Sequence, residues 1–255
     1  VATSPGTRDP RLGTFAGNYR LVARLGEGGM AAVYRGEHRD ITGAVVAVKL
    51  LDRRLAATPG AARRFLHEAQ ALFELMGRNR HIPRVLDYGK TERGEGYMVM
   101  EYLRGLDLAQ LLQREGPMPW PRAARLTLQL CDALAAAHAR DILHRDIKPA
   151  NCFLVEEEGV EIVKLIDFGV AKDLRAVADP TALGMIVGTP AYLAPEILIK
   201  GARPSVRSDI YSLGATLYRL LTNKSHVAGQ TWQDIAHHLQ LAQILPPSTH
   251  LGQAR

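Results

Sequence analysis

The stretch His144–Gly169, HRDIKPANCFLVEEEGVEIVKLIDFG, sets two carboxylates, a lysine and an amide at tight spacings, framed by two apolar runs. Asp146 and Lys148 share one loop, and Asn151 follows five residues after Asp146. FLV and, past an acidic turn, EIVKLI read as the two short strands of a hairpin. That hairpin would bring Asp167 back beside Asn151 and place two oxygen ligands near one general base. Hard oxygen donors, few in number and leaving room for water and phosphate, suit magnesium rather than zinc. Asp146 is then the candidate acceptor of a hydroxyl proton. Lys148 is the candidate neutraliser of transferred phosphate charge.

HRD-x-K-x-x-N followed by DFG resembles the catalytic-loop and metal-loop signature of protein kinases, and further parts of that signature stand on either side. YRLVARLG, from Tyr19, alternates as a half-buried strand does. GEGGMAAVYRG follows, where Gly26, Gly28 and Gly29 permit backbone amides to approach phosphate oxygens closely. Such a turn is weak evidence alone. Its place between two strands separates it from the phosphate loops that join strand to helix. It resembles the nucleotide-covering loop G-x-G-x-x-G-x-V, with Ala31 at the third glycine position.

AVVAVKLL is a nearly continuous β-branched run with one charge, Lys49, which by itself reads as a snorkelling surface residue. In VAVK the resemblance makes it the lysine that holds the α- and β-phosphates. Its implied partner is Glu68, on a helix AARRFLHEAQALFEL with Phe65, Leu66, Ala69, Leu72 and Phe73 on one face. PRVLDYG and GYMVMEYL give two more strands. The resemblance makes Met100 the guard of the nucleotide pocket and Glu101 to Leu103 the hinge whose backbone would bond adenine. Asp107 falls where the family often contacts ribose. Val33 and Ala47 above, with Phe153 below, would sandwich the base; each would serve equally as plain core.

From Leu106 the hydrophobic period changes from 2 to 3.6. DLAQLLQRE is expected to be a short helix, and PRAARLTLQLCDALAAAHARD a long one opened by proline. His138 is expected only to pack, and His144 to support the loop and the phenylalanine of DFG. The expected fold is therefore α+β and bilobal. A small antiparallel sheet with one helix would form an N-lobe (about 18–102), and a mainly helical C-lobe (about 103–255) would follow a flexible segment 1–17. Nucleotide would bind in a cleft between the lobes.

VAKDLRAVADPTALGMIVGTPAYL, between Gly169 and Ala194, is long and weakly periodic, as functional loops are. The resemblance makes it the activation loop. Thr189 matches a residue that bonds the catalytic Asp and Lys, and Thr181 is the switch candidate. Arg145 leaves a cation beside the loop that a phosphate on Thr181 would satisfy. Lys148 together with GTPAYLAPE is similar to serine/threonine rather than tyrosine kinases. Ala150 gives no reason to expect arginine-rich substrates. In SDIYSLGATLYRLLT, Ser208 is the expected helix cap. A buried Asp209 would need hydrogen bonds, and in the family the matching aspartate holds the HRD loop from below.

Composition bounds the reading without deciding it. The 255 residues can bury a core of roughly 70–75% of the unfolded surface, and the 47% hydrophobic and 23% charged fractions are those of an ordinary globular chain. The net charge of +6 is interspersed, without an aromatic-interleaved basic stripe, so it does not point to nucleic acid. Cys131 and Cys152 form no ligand spacing and read as reduced, buried thiols of a cytosolic protein. No apolar run is long enough for a bilayer and no signal peptide opens the chain. A cytoplasmic domain follows, free or belonging to a longer anchored protein.

The chain ends 46 residues after Asp209, without the family's later helices, the arginine partner of Glu196 or its T-G-x-x-P-F, and so reads as a truncated form. The resemblance, to bacterial eukaryotic-like (Hanks-type) serine/threonine kinases, implies ATP, magnesium (manganese in its place) and protein hydroxyl substrates. It allows a homodimer through the small lobe. The alternative reading is a nucleotide-binding pseudokinase or scaffold without transfer.

Overall fold

A computed structural model describes residues 9–28, 31–52, 60–75, 79–168, 190–229, 231–241 and 244–250. The chain divides into two compact units. One holds residues up to Glu74 together with Arg84–Leu103, and the other holds Leu75–Pro83 and Arg104 onward.

In the first unit, alternation of apolar residues builds a six-stranded antiparallel sheet. Its strands are β1 (Phe15–Ala16), β2 (Tyr19–Glu27), β3 (Ala31–His38), β4 (Val45–Leu51), β5 (Val85–Lys90) and β6 (Gly96–Glu101), in the order β1-β2-β3-β4-β6-β5. Period-2 geometry sends alternate side chains to opposite faces. One face buries Leu21, Ala32, Tyr34, Val46, Val48, Leu50, Tyr97 and Val99, with Leu12 and Tyr19 packed against them. The register Val33↔Lys49↔Met98 and Ala47↔Met100 puts the other set on the opposite face. Helix α1 (Ala61–Glu74) packs against β5 and β6.

Residues 9–17 of the expected flexible segment 1–17 are built into the fold. Asp9 accepts the Arg11 amide at 3.0 Å, Gly13 N donates to Leu21 O at 2.8 Å, and β1 pairs with β2 around a fully buried Ala16. A Gly/Pro/Thr-rich stretch lacks periodicity because two turns and a two-residue strand are too short to show one.

The second unit is mainly helical. Strand β7 (Gly105–Asp107) precedes α2 (Leu108–Glu115) and pairs with β8 (Cys152–Glu157), which pairs with β9 (Val160–Leu165). The expected helix from Asp107 thus begins one residue later. Asp107 is its N-cap, accepting the Gln110 amide at 2.8 Å in a capping box. Gly105 lets β7 lie close to β8, since a Cβ there would stand 1.9 Å from Leu154 O.

Helix α3 (Trp120–His138) buries Ala123, Leu126, Leu130, Ala133, Leu134 and Ala137, a 3.6-period stripe set against β9 and a later helix, α5 (Val206–Thr222). Between them in sequence lies α4 (Pro195–Lys200). Ser205, not Ser208, caps α5; Ser208 instead returns the bond from its N3 position, its Oγ accepting the Ser205 amide at 2.9 Å. Helix α6 (Trp232–Gln240) docks through Ile235 and Leu239 onto Val227, Leu198, Ile199 and Tyr211.

Candidate active site

Catalysis-bearing residues of the second unit sit on the loop after α3 and on the β8–β9 hairpin. Asp146 Oδ2 accepts from Lys148 Nζ at 3.1 Å and from Asn151 Nδ2 at 2.8 Å. Asn151 Nδ2 also donates to Asp146 O at 2.7 Å. Spending the amide nitrogen on Asp146 leaves Asn151 Oδ1 as the end of that side chain suited to a cation. The hairpin works as its sequence implies. Cys152 pairs with Leu165, and Ile166 N donates to Asn151 O at 2.9 Å, so Asp167 follows directly beside Asn151. An amide oxygen and a carboxylate, brought together on adjacent backbone, fit an octahedral magnesium that keeps several waters.

Two residues here adopt positive φ without being glycine: Arg145 at 66° and Asp167 at 57°. Such conformations cost about 1–3 kcal/mol each and persist only where surroundings over-determine them. For Arg145 the surroundings are visible. Asp209, 1% exposed on α5, accepts the amides of His144 and Arg145, both at 2.9 Å, and His138 Nε2 at 2.8 Å. The buried aspartate is thus hydrogen-bonded, as its burial requires. His138 does more than pack. The signal for it was a lone polar residue four positions after Leu134 on a helix face that is otherwise apolar.

His144 is fully buried. Its Nδ1 accepts the Asp146 amide at 3.2 Å and its Nε2 donates to Ile166 O at 3.0 Å, so one neutral tautomer ties the loop of Asp146 to the residue before Asp167. Burial holds its pKa below the usual histidine value, against the pull of nearby Asp209. Its ring lies 4.6 Å from that of Phe168, which is 1% exposed. Arg145 Nε is buried and has no hydrogen-bond partner among the described residues. Cys152 Sγ donates to Lys148 O at 3.3 Å, and burial pushes its thiol pKa up.

In the first unit, Val33, Ala47, Lys49 and Met100 share one sheet face, all half-buried, beside a fully buried Met98. Gly28 N donates to Ala31 O at 2.8 Å and closes the turn after Gly26. Neither glycine has positive φ, and a Cβ at Gly26 would meet nothing within 4 Å. Gly26 stands at an irregularity of the β2–β3 register, and the space beside it is open. Glu101 N donates to Arg84 O at 3.0 Å while its Oε1 accepts the Arg84 amide at 3.0 Å; Leu103 is half-buried just beyond.

Asp107 and Phe153 are Cα partners across β7 and β8 in the second unit, both half-buried. Glu68 lies on α1, but its side chain is outside the described residues, as are Gly29, Gly169, Thr181 and Thr189.

Comparison with known proteins meets these motifs. The model of the protein kinase domain matches residues 19–251. The chain is 42% identical to serine/threonine-protein kinase Pkn1 of Myxococcus xanthus over 95% of its own length and 34% of the relative's. It is 37% identical to serine/threonine-protein kinase PknB of Mycobacterium leprae, covering 92% of this chain and 37% of that one. The chain thus spans about a third of the length of these relatives. Among solved structures, the Mycobacterium tuberculosis PknI kinase domain matches with a TM-score of 0.66 at 28% identity, covering 94% of each chain. A VAVK strand, an HRD loop tied to a buried helix aspartate and a DFG hairpin, in this order and under this match, make the chain a member of the protein kinase family, of the bacterial serine/threonine type.

Proposed function

We propose that this chain transfers the γ-phosphoryl group of ATP to serine and threonine hydroxyls of protein substrates. The observation that carries the reading is the convergence of Lys148 Nζ and Asn151 Nδ2 on the one oxygen Asp146 Oδ2. Two donors thus fix the orientation of the carboxylate that would take the hydroxyl proton. As the substrate oxygen bonds to the γ-phosphorus, the bond to the β,γ-bridging oxygen breaks and ADP leaves. Lys148 offsets the charge spread over the moving group, and the reaction depends chiefly on positioning and electrostatics. Asn151 and Asp167 would hold magnesium, or manganese in its place, which would supply positive charge to the phosphates of ATP.

Lys49, with Glu68, holds the α- and β-phosphates under the Gly26–Gly28 turn. In the first unit, Val33, Ala47 and Met100 are the adenine contacts and the Glu101–Leu103 backbone bonds its edge; in the second unit, Phe153 is the candidate base contact and Asp107 the ribose contact. The capping bond of Asp107 uses Oδ1, so its Oδ2 is the atom for that contact. Thr189 steadies Asp146 and Lys148, and a phosphate on Thr181 pairs with Arg145, whose buried Nε has no partner among the described residues. Radiolabel transfer from Mg-ATP tests the reaction. Asp146→Asn should lower the rate by about 10²–10⁴, the usual worth of a general base, while ATP still binds. An undiminished rate would overturn the assignment.

A further inference from the structure

The segment before β2 is built into the sheet rather than laid on it. Leu12 packs on the apolar face opposite Lys49, and Tyr34 Oη donates to Asp9 Oδ2 at 2.9 Å. Thr14 Oγ1 donates to Arg11 O at 2.7 Å and Leu21 N to Thr14 O at 2.9 Å, which fixes where the Arg11 side chain leaves the backbone. Arg11 Nη2 then donates to Glu95 Oε1 at 3.0 Å and to Leu51 O at 3.4 Å. This ion pair is sheltered, its side chains 16% and 6% exposed.

The two groups that Arg11 joins are the ends of the two strands around Lys49. Leu51 is the last residue of β4, two beyond Lys49, and Glu95 immediately precedes β6, whose Met98 is the partner of Lys49. The β4–β6 ladder has its last recorded pair at Leu50↔Tyr97, so Arg11 staples the strands just where their own pairing stops. The same corner seats α1: a Cβ at Gly96 would lie 3.2 Å from Phe65 Cδ1 and 3.9 Å from Leu51 Cβ. Phe65 stands one turn before Glu68.

From this we infer that Arg11 is a positioning residue for nucleotide binding, acting through the ends of β4 and β6 on Lys49 and on the seat of α1. The inference rests on the reading that Lys49 holds ATP phosphates. Residues 9–16 then belong to the catalytic unit as its outer brace.

The test is Mg-ATP affinity by titration calorimetry on the 255-residue chain, with the thermal midpoint and both KM values measured beside it. Arg11→Ala should bind ATP roughly five- to tenfold more weakly, the size of coupling carried through packed contacts. It should raise KM for ATP and leave KM for the protein substrate unchanged. Arg11→Lys, which keeps a cation beside Glu95, should recover part of the affinity. Arg20→Ala, which breaks an exposed pair with Glu37, should bind as the parent does.

Arg11→Ala with parental ATP affinity would sink the inference whatever its midpoint, and so would Arg11→Lys no better than Arg11→Ala. A parent chain that binds Mg-ATP but transfers nothing removes the proposed reaction and leaves the affinity comparison to decide on Arg11. A parent that binds no ATP removes both.

Discussion

Burying a carboxylate as deeply as Asp209 costs several kcal/mol unless donors meet its oxygens. His138, the His144 amide and the Arg145 amide do so. Two of those donors belong to the loop that carries Asp146, so the same bonds that satisfy Asp209 also hold Arg145 in its left-handed conformation. Asp209→Asn keeps the shape but turns an NH2 toward one of these donors. We expect it to cost about 2–4 kcal/mol in urea unfolding, the range for unpaired buried polar groups. It should also lower kcat at least as steeply as it changes KM for ATP, because it disturbs Asp146 and not the phosphate lysine. A destabilised variant with parental kcat would show that the loop holds its geometry without Asp209.

Among the elements, α6 has a seat sensitive to acid. His226, beside it, shares a 2.8 Å hydrogen bond with Tyr211 and packs edge-on to the rings of Tyr211 and Tyr218. Burial, helped by nearby His238, pushes its pKa down to about 4 from 6.5. Between those values the unfolded chain takes up a proton that the native chain refuses, so stability falls as pH drops from 6.5 to about 4. Below that window both states are protonated and the loss levels off. Replacing His226 with Gln should flatten the dependence of the thermal midpoint on pH across this window. An unchanged slope would assign the acid sensitivity elsewhere.

Elements long enough to repeat their period several times announce themselves in the sequence, as the α3 stripe and the alternation in β2 do. The short ones do not: β1, β7 and the turns over residues 9–14 offer too few residues for any period. Site legibility divides on the same line. Asp146, Lys148, Asn151 and Asp167 stand in one contiguous stretch, whereas His138 and Arg11 act through partners 71 and 84 residues away.

At the scale of the whole molecule, the two compact units each have their own buried residues. Any ligand that binds only the folded chain raises its apparent stability by mass action. Mg-ATP at a hundred times its dissociation constant should add about 2.7 kcal/mol, seen as a higher thermal midpoint. The same concentration should leave the midpoint of Lys49→Met where it was. An equal rise in both would place the phosphates away from Lys49. Among the described residues no helix is long and apolar enough to cross a membrane.

Both cysteines are expected to be buried, but only Cys152 is, sealed beneath the Lys148 carbonyl, while Cys131 is exposed on the outer side of α3. A maleimide or iodoacetamide reagent should therefore mark Cys131 promptly and reach Cys152 only when the loop of Asp146 opens. The slow phase of alkylation thus clocks the breathing of the catalytic loop in the folded protein. Its retardation by nucleotide would read out, through a single sulfur, how tightly ATP locks that loop.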